Sequence, residues 1–143
     1  MRMTVLAGVA TAAMLLCGSV GAKAASLVAR VDVSTQTMTV SQYGQVLYRW
    51  KVSTARKGYV TPRGIYRPQR LHRMWYSRKY EMSPMPYSVF YHGGYAIHGT
   101  GAVRSLGRPA SHGCVRLHTA NAATFYSLVK QAGYGNTRII VSD

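Results

Sequence analysis

Only three side chains of the 143-residue chain carry a carboxylate: Asp32, Glu81 and Asp143. That scarcity removes whole mechanisms. A two-carboxylate glycosidase would have to use Asp32 and Glu81, since Asp143 is the last residue, and neither lies in a recognisable catalytic setting. Magnesium and calcium sites, which need clustered carboxylate oxygens, fail for the same reason. A Ser-His-Asp triad lacks its third member, and Pro109 stands where a nucleophile elbow around Ser111 needs its first glycine. Phosphates have no cradle: Gly99-Thr100-Gly101 opens a G-x-G-x-x-G pattern, but Arg104 takes the final glycine position. Cysteine is nearly as scarce, with only Cys17 and Cys114. The chain has no internal repeat, low-complexity tract or Pro/Ser-rich linker, so a second domain has no support.

What is present begins with an apolar stretch. Arg2 precedes an uncharged run from Met3 to Ala22, and Ala22-Lys23-Ala24 offers a small-x-small cleavage site before Ala25. Residues 1–24 are therefore expected to be a signal peptide exporting the chain to the periplasm. An uncleaved anchor or lipidation at Cys17 are the alternatives. Cleavage removes Cys17 and leaves Cys114 as a lone thiol with no intrachain partner. Residues 25–143 have the length of one domain.

The formal charge of +15 falls to +13 once Arg2 and Lys23 leave. Partners are expected to be anionic, and for an exported protein these are wall polymers, anionic lipid or peptide carboxylates. No helix-turn-helix, zinc-finger or aromatic RNA-binding motif accompanies the bases, so nucleic acid is not the expected partner.

Alternating apolar residues predict strands over Leu27–Val33, Thr37–Tyr43 and Val46–Val52, the first two joined by a Ser34-Thr35-Gln36 turn and the last two by Gly44-Gln45. Further β-rich runs cover Ile65–Arg67, Ser88–Tyr91, Tyr95–His98 and Thr137–Val141. One segment has helical spacing: Ala122, Phe125, Leu128, Val129 and Ala132 share a face, with Thr119 as the expected cap and Gly133 as the stop. The expected fold is mainly β, with one principal helix over residues 119–132 behind the Cys114 loop. The run from Leu71 to Tyr80 mixes bases with aromatics and reads either as a lid or as a surface excursion packed on the core.

Cys114 lies in Ser111-His112-Gly113-Cys114-Val115-Arg116-Leu117, downstream of Ile97-His98-Gly99-Thr100. A nearby imidazole or positive field raises the reactive thiolate fraction, and His98, His112 and Arg116 are placed to supply both. As general base His98 needs a group to fix its tautomer. With no acid at hand, the Gly99 carbonyl is the nearest candidate. Gly113 allows close backbone approach, so the Gly113 and Cys114 amides are candidates to receive an oxyanion. The competing readings are a structural Cys and His, or zinc held by His112 and Cys114 with His98, His92 or His118. The spacing lacks paired metal-ligand motifs, so no metal or other cofactor is expected.

These residues resemble the L,D-transpeptidase catalytic-domain family of the bacterial cell wall, the YkuD-like type. The I-H-G-T and S-H-G-C elements carry the likeness, and Thr61-Pro62-Arg63-Gly64-Ile65-Tyr66 is similar to a third family element. The resemblance implies a β-sandwich-like catalytic domain acting on peptidoglycan stem peptides. Cys114 matches the nucleophile that attacks after the third stem residue and expels D-alanine. His98 matches the general acid/base and Gly99 the carbonyl that orients it. Ser111, His112, Gly113 and Arg116 match positions at the oxyanion and substrate site. The acyl group would pass to the amine of a second stem, to an outer-membrane protein or to water, and carbapenems would acylate the same thiol. A hydrolase of the same fold and a non-catalytic wall-binding protein remain the alternatives.

Overall fold

The computed structural model describes residues 25–143, so the expected signal peptide at 1–24, with Cys17, lies outside the described residues. Nine strands and one α-helix follow in chain order: β1 (Leu27–Asp32), β2 (Thr37–Gln42), β3 (Gln45–Lys51), β4 (Gly64–Tyr66), β5 (Arg70–Ser77), β6 (Ser83–His92), β7 (Tyr95–Thr100), β8 (Val115–His118), α1 (Thr119–Ala132) and β9 (Thr137–Ser142). They form a five-stranded sheet in the order β3-β2-β1-β9-β4 and a four-stranded sheet in the order β5-β6-β7-β8. The mainly β expectation with one principal helix is met.

Period-two alternation places the core between the layers. Leu27, Ala29 and Val31 of β1, Met38 and Val40 of β2, and Ile139 and Val141 of β9 point inward from the first sheet. Val89 and Tyr91 of β6, Ile97 of β7, and Val115 and Leu117 of β8 meet them from the second. The α1 stripe of Ala122, Phe125 and Val129 packs on β6, β7 and β8, closing the same core. Each fully buried aliphatic or aromatic side chain contributes about 1.5 to 3 kcal/mol of transfer free energy, which is what fixes strand register. A one-residue slip would turn each strand's apolar set to the wrong face.

Three local expectations need correction. The α1 cap is His118, whose Nδ1 accepts from the Ala120 amide at 3.2 Å, whereas the Thr119 hydroxyl turns to the Thr100 carbonyl. The helix does stop at Gly133, with φ +86°. Strand β8 is absent from the sequence reading because four residues are too few to display a period. Strand β5 was not recognised because none of its residues is fully buried: Leu71 is partly covered by the main core and Trp75 by a satellite cluster. Pro84 and Pro86 are tolerated in β6 because that end of the strand pairs with β5 alone, β7 joining only from Val89 onward.

The second sheet has a second apolar face. Met85, Phe90 and Ala96 are buried there, with Trp75 and Cys114 packed against them. The cavity described below opens over this face.

Candidate active site

The parallel register of β7 and β8 brings the two sequence motifs together. His98 is the Cα partner of Arg116, and Ile97 that of Val115, so Cys114 lies opposite Ala96. Residues two apart on a strand share a face. Ala96 and His98 therefore share one with Cys114 and Arg116, and Ala96 and Cys114 belong to the satellite cluster. Direct strand pairing sets their relative positions. Cys114, His98, Arg116 and His112 all line one cavity of about 690 Å³, closed on its far side by Tyr59, Trp75 and Tyr80.

The loop before Cys114 is held from within. The Ser111 hydroxyl donates to the Cys114 carbonyl at 2.6 Å and accepts from the Gly113 amide at 3.0 Å. Thr61, fully buried, donates to the Gly113 carbonyl at 2.8 Å and accepts from the Ala55 amide at 3.0 Å. Gly113 has φ +135°, and a Cβ there would lie 2.6 Å from the Tyr95 ring and 2.8 Å from the Val60 carbonyl oxygen. Only glycine fits. Two expectations change as a result. The Gly113 amide is engaged by Ser111 and does not point at an oxyanion, leaving the Cys114 amide as the candidate from this loop. Ser111, buried and outside the cavity lining, shapes the loop from within.

His98 is buried, and its Nδ1 lies 2.7 Å from the Gly99 carbonyl oxygen. A carbonyl only accepts, so Nδ1 carries the proton and Nε2 keeps a lone pair. Burial lowers the imidazole pKa to about 4, against the opposing pull of the Gly99 bond, and the Arg116 charge lowers it further. The Cys114 thiol is raised above its ordinary value by burial, which outweighs a bond from the Ala96 backbone and the Arg116 charge. Its Sγ lies 3.8 Å from the Gly94 carbonyl, as a weak S–H donor. Burial over Met85, Phe90 and Ala96 thus opposes the gain in thiolate expected from the neighbouring positive field, and sulfur and imidazole both favour their neutral forms.

His112 occupies the opposite side of the cavity. Its ring stacks on Tyr80 at 4.0 Å and 8°, meets Tyr59 edge-on at 4.8 Å, and accepts at Nε2 from Arg56 at 3.0 Å. Burial, then Arg56, Arg116 and Lys79, hold its pKa below the ordinary value, consistent with an acceptor nitrogen facing a guanidinium. Within the Leu71–Tyr80 run Trp75 packs on the satellite cluster, as the core-packed alternative expected, while Tyr80 lines the cavity and stacks on His112. His118 caps α1 and His92 stacks with Tyr66 and Tyr95, and neither joins the cavity lining. Sequence reasoning missed Thr61, Tyr59, Tyr80 and Arg56 as site components: Thr61 lies in the T-P-x-G element and Tyr80 in the aromatic-basic run, while Arg56 and Tyr59 fall in neither.

A family model for the L,D-transpeptidase catalytic domain, YkuD, matches residues 26–141. Among solved structures, an L,D-transpeptidase from Mycobacterium smegmatis is 25% identical with a TM-score of 0.75, over 83% of this chain and 59% of its own. An L,D-transpeptidase from Mycobacterium tuberculosis H37Rv is 26% identical with a TM-score of 0.72, over 83% and 58%. The L,D-transpeptidase LdtMt1, solved in complex with imipenem, is 25% identical with a TM-score of 0.73, over 82% and 59%. The chain spans about three-fifths of the length of these structures. No curated protein sequence matches it.

Proposed function

This chain belongs to the L,D-transpeptidase catalytic-domain family, and from that premise we propose that it is a periplasmic cysteine acyltransferase of peptidoglycan. The observation that carries the reading is His98, kept neutral by burial, with Nδ1–H fixed on the Gly99 carbonyl and Nε2 left as the basic nitrogen in the cavity that also holds Cys114.

A neutral pair makes sulfur attack and proton transfer one event. As Sγ bonds to the carbonyl carbon of the third stem residue, its proton passes to His98 Nε2 and the carbonyl π electrons move onto oxygen. The Cys114 amide is the candidate donor to that oxyanion. Collapse breaks the C–N bond, and the imidazolium returns its proton to the departing D-alanine amine, leaving a thioester. An acceptor amine then attacks the thioester, His98 takes its proton, and the expelled sulfur recovers it as the thiol. The imidazolium is short-lived because burial disfavours it, which drives its proton onward at each step. No carboxylate is needed, in keeping with the composition.

Export by residues 1–24 is part of the same proposal, as are the acceptors, a second stem or an outer-membrane protein, and attraction to anionic envelope surfaces. Mass spectrometry after incubation with a carbapenem tests the chemistry: an adduct on the wild type and none on Cys114→Ala is expected, and no adduct on either overturns it. Analysis of digested sacculi then separates stems joined through two third residues, shortened stems and stems bearing protein fragments, which report amine transfer, hydrolysis and protein attachment in turn.

A further inference from the structure

The cavity is lined by Arg70, Arg78, Lys79 and Arg116 and by no carboxylate. Asp32 is engaged by Ser34 and Thr35, Asp143 pairs with Arg63, Glu81 is outside the lining, and the sequence contains no fourth acid. The lining is therefore positive, and low-dielectric walls concentrate its field.

Two of these cations hold fixed positions relative to the sulfur. Arg116 follows Cys114 by two residues on the same face of β8, half-buried, with a single 3.4 Å bond to the Ala110 carbonyl. Arg70 lies across the sheet. It is the Cα partner of Phe90, Phe90 that of Ala96, and Ala96 lies opposite Cys114, so the four form one transverse row. The Arg70 guanidinium sits over the Phe90 ring at 4.0 Å and near Trp75 at 5.2 Å. Stacking fixes its plane and leaves its N–H edge for a planar anion. Among the described residues no hydrogen bond or ion pair engages that edge. Strands are about 4.8 Å apart, so a group bound there sits about 10 Å from the sulfur column.

We infer that Arg70 binds a second carboxylate of the donor stem, so that the site selects stems whose carboxylates are free over stems in which they are amidated. The inference rests on the stem being the substrate. Arg116 takes one anion along β8, beside the scissile bond, and Arg70 takes another across the sheet. An amide in place of the second carboxylate loses the paired, charge-assisted bonds and leaves the guanidinium without a counterion.

The test uses two tetrapeptide stems of one sequence, with the carboxylates upstream of the terminal residue either free or as primary amides. Binding to Cys114→Ala is measured by calorimetry, which needs no turnover. The free-acid stem is expected to bind at least tenfold tighter. Adding Arg70→Gln should weaken the free-acid stem about tenfold more than the amidated one, and Arg70→Lys should recover part of the difference. Equal binding of the two stems overturns the inference, as does an Arg70→Gln loss shared equally by both, which marks a merely structural stack on Phe90. Wild-type turnover of the same stems is scored separately: discrimination in binding with no turnover of either sinks the transferase reading and supports the anion site.

Discussion

The floor and the roof of the cavity are built on opposite principles. The floor, β7 and β8 with the Ser111–Cys114 loop, is buried and set by strand register and hydrogen bonds to main chain. His98 has one orientation because its Nδ1–H meets a carbonyl, and the loop has one shape because Ser111 and Thr61 satisfy its polar atoms. The roof, formed by Tyr59, Tyr80 and the bases of the β5–β6 hairpin, is more exposed and held by ring stacking and a single guanidinium contact to His112. Such contacts are individually weak and independent of main-chain geometry. The floor fixes its side chains through main-chain geometry, whereas the roof rests on the site through side-chain contacts alone.

The contrast can be broken most severely at the sulfur. Cys114→Ala should leave the fold intact and lower turnover by roughly 1,000-fold or more, read against wild type by stem-consumption kinetics. Acid comes next. The unfolded His98 titrates near 6.5 and the folded one near 4, so the unfolded chain binds the additional proton. The contribution to stability is whole above about pH 6.5 and is lost as pH falls toward 4, by roughly 3 kcal/mol. Urea midpoints at pH 7 and 4.5 should show that loss, and His98→Asn should flatten it. An unaltered slope in the variant would place the acid sensitivity elsewhere.

Gly113→Ala meets both a backbone oxygen and a left-handed φ, and should cost roughly 2 kcal/mol of stability, checked by thermal unfolding. Thr61→Val strands the buried Gly113 carbonyl. It should cost about 1 to 2 kcal/mol and lower kcat more than it raises KM, with Thr61→Ser restoring both. The smallest effect belongs to the roof: Tyr80→Ala should raise KM a few-fold and leave stability within about 0.5 kcal/mol. A Tyr80→Ala loss in kcat as large as that of Thr61→Val would erase the distinction between floor and roof.

Much of this was legible in the chain before folding. Alternation from Leu27 to Lys51 and the helical stripe from Ala122 to Val129 are local signals, and both became the elements they indicated. The strands β5 and β8 were not, because one has no fully buried residue to set a pattern and the other is too short to show a period. The burial that opposes the thiolate was hidden for a related reason. Neighbouring His and Arg are visible in sequence, but the apolar floor under Cys114 is assembled from Met85, Phe90 and Ala96 of other strands.

By itself the sequence decided the chemistry's cast: three acidic side chains exclude carboxylate mechanisms, and two histidine-bearing motifs around Cys114 name the candidate reacting groups. Only tertiary structure decided their states and places. Parallel pairing puts His98 and Cys114 on one face, buried surroundings hold both neutral, and Ser111 closes off the Gly113 amide. Residue type sets what a group can do, but its proton and its partner depend on burial and long-range pairing, which no local run of residues encodes.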